Sequence, residues 1–192
     1  MIDADKQIDE HIMVIEGIRP LMAELETIAR AMSVCLAAGG KILWMGNGGS
    51  AADSQHMAAE FVGRYSRERR GLASIALTTD TSILTAVGND YGYERVFARQ
   101  VEALCRPDDV VVGISTSGNS PNVVQAVEVA KQIGATTVGF TGATGGELKA
   151  LVDHCLTVPA TSTARIQEAH ILMGHLLCDW VEAGVVREQK NA

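Results

Sequence analysis

Apolar residues recur at three- and four-residue steps through the first part of the chain: Ile8, Ile12, Ile15, Ile18, Leu21, Met22, Leu25, Ile28, Ala29, Met32 and Leu36. That period predicts helix over 3–38. Pro20 lacks an N–H and crowds the preceding turn, so it should divide this stretch into two helices, and Gly39-Gly40 should end it. Short apolar runs then alternate with helical ones. Lys41–Met45, Ser74–Leu77, Asp109–Ile114, Thr136–Phe140 and Cys155–Val158 read as strands. Helical patterns occupy 51–64, 81–87, 94–104, 121–133, 146–152 and 163–185. The alternation predicts an α/β fold: one domain with a flavodoxin-like, five-stranded parallel sheet between helices, in the order 2-1-3-4-5. Residues 1–38 are read as an N-terminal helical extension of that domain, open to packing on another subunit, and 39–192 as its ligand-binding body. No repeat, low-complexity tract or linker divides the chain.

Two polar loops interrupt this pattern where strands give way to helices. Ser115-Thr116-Ser117-Gly118-Asn119-Ser120 follows the third strand and precedes Pro121, which suits the first helical position, with Ser120 as N-cap. Three serine hydroxyls and the unpaired N–H groups of a helix start suit a phosphate. A plain Ser-rich turn with a capped helix fits the same residues. Gly46-Asn47-Gly48-Gly49-Ser50 follows the first strand and leads into a helix near Ala51. In a 2-1-3-4-5 sheet, strands one and three are neighbours where the strand order reverses, so both loops face one crevice. Neither is a Walker A or a Gly-x-Gly-x-x-Gly sequence, which argues against a nucleotide.

Charge narrows the ligand further. The 192 residues carry a net charge of −7, so an anion must be held by local dipoles and hydroxyls. No basic run supports nucleic-acid binding, and no apolar run is long enough to span a membrane. Met1-Ile2-Asp3-Ala4-Asp5 lacks a signal-peptide pattern, and Cys35, Cys105, Cys155 and Cys178 show no CxxC spacing. The expectation is a cytoplasmic protein with reduced, mostly buried thiols.

The helix after the first loop carries His56 and Glu60 at i,i+4, on one face. The last helix carries Gln167, His170 and His175, with Gln167 and His175 roughly 12 Å apart along its axis. Two histidines, a carboxylate and an amide oxygen could form a four-coordinate zinc site. A solvated His/Glu pair and a core histidine fit the same spacing.

Gly46–Asp53 with His56 and Glu60, Val87–Tyr91, Ser115–Ser120, and Ala164–Glu168 with His170 and His175 together resemble the sedoheptulose 7-phosphate (phosphoheptose) isomerases of the sugar-isomerase (SIS) domain family. The likeness runs from about residue 39 to 180, in order and at compatible spacing. It implies a SIS fold and interconversion of a seven-carbon ketose phosphate with D-glycero-D-manno-heptose 7-phosphate, for lipopolysaccharide, capsular or glycoprotein heptose. It implies one zinc per subunit on His56, Glu60, Gln167 and His175, with Glu60 and His175 as acid/base groups. It implies substrate contacts at Asn47, Gly48, Gly49, Glu60, Asn89, Asp90, Ser115, Thr116, Ser117, Ser120 and Gln167, with Arg64 as a further candidate. It also implies a homotetramer with sites between subunits. Where some members carry Asp before Arg-Ile-Gln-Glu, this chain has Ala164.

Other readings stay open. A non-catalytic SIS module could sense a phosphosugar or bind a replication initiator, although the relative that does the latter lacks the second zinc-site histidine. Another phosphosugar isomerase is a third possibility. Trp44 and Trp180 read as core or interface, His11 and His154 as surface or loop residues, and Arg67-Glu68-Arg69-Arg70 as a solvated loop.

Overall fold

The computed structural model describes residues 3–191; residues 1, 2 and 192, at the ends of the two expected segments, lie outside it. Five parallel strands, β1 (Ile42–Gly46), β2 (Ser74–Ala76), β3 (Val110–Ile114), β4 (Thr136–Thr141) and β5 (His154–Thr157), lie in the order β2-β1-β3-β4-β5. Every residue of β1 and β3 is buried, as expected of central strands covered on both faces. Successive residues take opposite faces. Ile42 and Trp44 of β1 join one apolar cluster, and Leu43 and Met45 join the other.

Helices α1 (Ala4–Gly17) and α2 (Met22–Ala37) are separated by a 3₁₀ turn, Arg19–Leu21, that contains Pro20. Then follow α3 (Gly49–Val62), α4 (Thr81–Tyr91), α5 (Ala98–Leu104), α6 (Pro121–Ile133), α7 (Leu148–Leu151) and α8 (Thr163–Asn191). Asp3 and Asp80 cap α1 and α4 by accepting the N–H groups of Lys6 and Ile83. Leu25, Ile28 and Met32 of α2 pack with Met57 and Phe61 of α3 and Met173, Leu177 and Val181 of α8 on one face of the sheet. Val101 of α5, Val123 and Val127 of α6 and Leu148 of α7 cover the other. The N-terminal stretch is therefore split in character. α2 supplies core, whereas α1 has no buried residue and leaves Ile8, Ile12 and Met13 exposed.

β1 and β3 pair directly, with Gly46 opposite Ile114, so the loops that follow them leave the sheet side by side at the point of strand-order reversal. Trp44 is fully buried, its indole N–H donating to Ser74 Oγ at 2.9 Å. The four cysteines are free thiols. Burial pushes Cys35 up to about 11 and Cys178 up to about 12, which keeps both protonated.

Candidate active site

The loop after β3 is shaped by its own hydroxyls. Ser115 Oγ lies 2.9 Å from Ser120 Oγ and 3.4 Å from Ser117 Oγ, and the N–H of Asn119 donates to Ser117 Oγ. Ser120 does occupy the N-cap of α6, but its hydroxyl faces Ser115 and caps nothing. The hydroxyls therefore gather over the helix start instead of being spent on it. Gly118 has a φ of +71°, and a Cβ there would overlap the Gly145 carbonyl oxygen, so no larger residue fits. Asn119 Oδ1 accepts the Glu147 N–H at 2.8 Å, which ties this loop to the start of α7.

The loop after β1 is joined to it by an amide pair. Asn47 and Asn122 exchange two hydrogen bonds, at 2.9 and 2.8 Å, and Tyr93 Oη donates to Asn47 Oδ1. Asn47 thus spends its side chain on scaffold, while the carbonyls of Asn47 and Gly48 accept the N–H groups of Ser50, Ala51 and Ala52 at the start of α3. The Gln167 carboxamide of α8 lies so close to Gly49 that a Cβ there would stand 2.9 Å from its carbon. Asn89 and Asp90 are exposed near the end of α4, hydrogen-bonded to each other; the helix runs past the expected limit of 87 to include them.

Further along α3, His56 Nε2 meets His175 Nε2 of α8 at 2.9 Å, and Glu60 Oε1 stands 3.5 Å from the same His56 nitrogen. Tyr65 stacks on the His175 ring with centroids 5.6 Å apart and planes at 30°. Among the described residues no three His, Cys, Asp or Glu side chains are gathered closely enough to hold a metal ion. The donors nonetheless fit zinc by type. His56 Nε2 faces His175 Nε2 with the Glu60 carboxylate beside them, and two imidazoles with a carboxylate are donor types that an open zinc centre uses. Gln167 keeps to Gly49 and makes no hydrogen bond to these three groups.

Residues 9–142 match the SIS domain family. A phosphoheptose isomerase from Roseiflexus sp. (strain RS-1) is 56% identical over 186 residues, 97% of this chain and 93% of that protein. The chain belongs to the phosphoheptose isomerase family of SIS-domain proteins. The structure of phosphoheptose isomerase GmhA from Neisseria gonorrhoeae superposes with a TM-score of 0.89 at 47% identity, covering 93% of this chain and 96% of that one. A phosphoheptose isomerase from Francisella tularensis gives 0.85 at 39% identity, covering 93% and 94%.

One histidine of this family member sits elsewhere than its spacing implied. His170 is a core residue, off the site. It is 2% exposed, its Nε2–H donates to the Thr141 carbonyl, and Nδ1 has no partner. Burial pushes its imidazole down to about 4. Arg64 lies beyond the end of α3, exposed, 3.9 Å from Glu68. His154 opens β5 and pairs with Glu24 at 2.8 Å, and His11 lies within α1 and pairs with Glu168 at 2.7 Å.

The stretch 67–70 is only partly solvated. The Arg69 side chain is 1% exposed and lies 3.1 Å from the equally buried Glu182 of α8. Burial by itself would raise the Glu182 carboxyl, but the N–H groups of Ser66, Arg67 and Tyr65 together hold it below the usual carboxylate range. A carboxylate seven residues after His175, between apolar Val181 and Val185, was the available signal for this pair.

Proposed function

We infer that the chain isomerises sedoheptulose 7-phosphate to D-glycero-D-manno-heptose 7-phosphate, the first step of heptose biosynthesis. One observation carries this reading. A hydroxyl-lined helix start, at Ser115–Ser120, is joined through the Asn47–Asn122 pair to the loop that opens the helix bringing Glu60 and His56 to His175. His56 lies about 10 Å along α3 from Gly49, so phosphate and reacting carbons fall at separate places in one groove.

The chemistry is a proton transfer between adjacent carbons. Ser115, Thr116, Ser117 and Ser120 hold the phosphate by hydroxyl and N–H donors. Asn47, Gly48, Gly49, Asn89, Asp90 and Gln167 hold the sugar chain. The Glu60 carboxylate removes a proton from C1. The C1–H electron pair becomes the C1=C2 bond of an enediol, and O2 gains a proton from His175. O1–H then returns its proton to the imidazole, the C1 carbonyl forms, and Glu60 delivers its proton to C2. His56, Glu60 and His175 would hold the zinc, with Gln167 joining them on turning away from Gly49, and the metal's Lewis acidity would stabilise negative charge on the sugar oxygens.

We further infer a cytoplasmic homotetramer whose product serves heptose for lipopolysaccharide, capsule or glycoprotein. The exposed Ile8, Ile12 and Met13 of α1 support subunit packing, since such apolar residues on one helix favour a protein partner. Among the described residues no helix is long and apolar enough to cross a membrane. A non-catalytic module binding a replication initiator is less well supported, because the imidazole pair and its carboxylate have no use in it.

Incubating the zinc-supplemented protein with sedoheptulose 7-phosphate tests the reading. The aldose phosphate should accumulate to equilibrium. No aldose from folded, zinc-replete protein would reject it.

A further inference from the structure

The helix pair that carries the site is locked at one end by charge. Arg69 follows α3 and turns back onto it. Its Nη1 donates to the carbonyls of Phe61 at 2.9 Å and Gly63 at 3.1 Å, and its Nη2 donates to that of Glu60 at 2.9 Å. These are C-terminal carbonyls of α3 and its cap, which a guanidinium suits in both charge and hydrogen bonding. The same guanidinium lies against Glu182, two turns beyond His175 on α8.

Glu182 is in turn cradled by the loop. Its carboxylate accepts from the N–H groups of Tyr65 at 3.0 Å, Ser66 at 2.8 Å and Arg67 at 2.7 Å, and from Ser66 Oγ at 3.1 Å. Arg67 reaches Asp179 Oδ1 at 2.6 Å on the same helix. Tyr65, held by its N–H, lays its ring on the His175 imidazole. Arg69 therefore grips the carbonyl of Glu60 itself, while Glu182 grips the residue that packs on His175.

We propose that Arg69 and Glu182 are positioning residues, whose buried ion pair sets His56 and Glu60 on α3 against His175 on α8. The inference rests on the isomerase reading of that site. Removing one partner leaves the other charge buried and unpaired, and removing both leaves the loop N–H groups and the α3 carbonyls without partners. Turnover measured well below each variant's melting temperature separates placement from stability. The phosphate loop, between β3 and α6, makes no hydrogen bond to the pair.

Two variants, Glu182→Gln and the double Arg69→Met/Glu182→Leu, test it against wild type by kcat, KM for sedoheptulose 7-phosphate and melting temperature. The double variant leaves the N–H groups of Tyr65, Ser66 and Arg67 without Glu182 and should melt below wild type. Measured well below its melting temperature, it should show kcat lower by about 10- to 100-fold, the scale of a 1 Å misplacement. KM should stay within about threefold of wild type, because the phosphate contacts remain. Glu182→Gln should lose kcat in the same way wherever it folds. The imidazole NMR signals of the metal-free protein give a second readout that needs no turnover. Those of His56 and His175 should shift in the double variant, and those of His11 and His154 should stay. A double variant that keeps wild-type kcat wherever it is folded, with all histidine signals unmoved, would reduce the pair to a structural role. If wild type itself fails to turn the sugar over, the isomerase reading falls, and the histidine signals still decide the positioning claim.

Discussion

His56 Nε2 and His175 Nε2 lie 2.9 Å apart although 119 residues separate them in the chain. Two imidazole nitrogens so placed cannot both offer lone pairs without a proton or a cation between them. His56→Ala or His175→Ala should therefore remove most bound zinc, because three protein ligands are close to the minimum for a stable site. Metal analysis of each purified variant decides it. Undiminished zinc in both would reject the site.

Glu60→Gln keeps size and much of the hydrogen bonding but removes the base. The rate should fall by at least about 100-fold, with KM little changed. In heavy water the wild type should place deuterium on carbon, and the variant should not do so at a comparable rate. Metal content must be measured with the rate, since loss of zinc would produce the same fall by another route.

The hydroxyl cluster after β3 predicts a substrate effect. Ser117→Ala removes a group within 3.4 Å of Ser115 Oγ and should weaken phosphosugar binding. The loss should be about 1–3 kcal/mol, the range for hydrogen bonds to charged groups. Equal turnover of unphosphorylated sedoheptulose would show that these hydroxyls hold something else.

Gly49→Ala tests how Gln167 is placed. The new Cβ would overlap the Gln167 carboxamide, so the amide must swing away from the loop after β1. KM should rise as it does in Gln167→Ala, and the double variant should be no worse than either single. Additive losses would mean that the two residues act independently.

Acid should destabilise the fold through His170. Burial pushes its imidazole down to about 4, against about 6.5 in an unfolded chain. Between these values the unfolded chain binds a proton that the folded one refuses. Stability therefore falls as pH drops from about 6.5 to about 4 and gains nothing from this group below that. The full difference corresponds to about 3 kcal/mol. Glu182 and Asp153, both held below the ordinary carboxylate range, add losses at lower pH as they protonate. His170→Leu should flatten the upper part of this dependence, since the Thr141 carbonyl still accepts the Val158 N–H at 3.0 Å. Urea unfolding across that pH range measures it. An unchanged slope would assign the acid sensitivity to other groups.

By itself the sequence determined the five strands and the two polar loops after β1 and β3, because each rests on local period and turn chemistry; the order 2-1-3-4-5 followed from a flavodoxin-like reading of the alternation, which the strand pairing matches. Pro20 divided the first helices, and the apolar runs 41–45 and 109–114 marked the central strands. Position along a helix also brought His56 and Glu60 to one face. Only the tertiary structure decided which distant groups meet. Nothing local distinguishes His175, which reaches His56, from His170, which the same helix turns into the core. Ser120 sits where an N-cap belongs, yet its hydroxyl is taken by Ser115. Arg69 looks like one of four solvated charges until α8 supplies Glu182. A charged side chain is buried only where a partner far away in the chain offsets its desolvation, and such a partner has no period in the sequence.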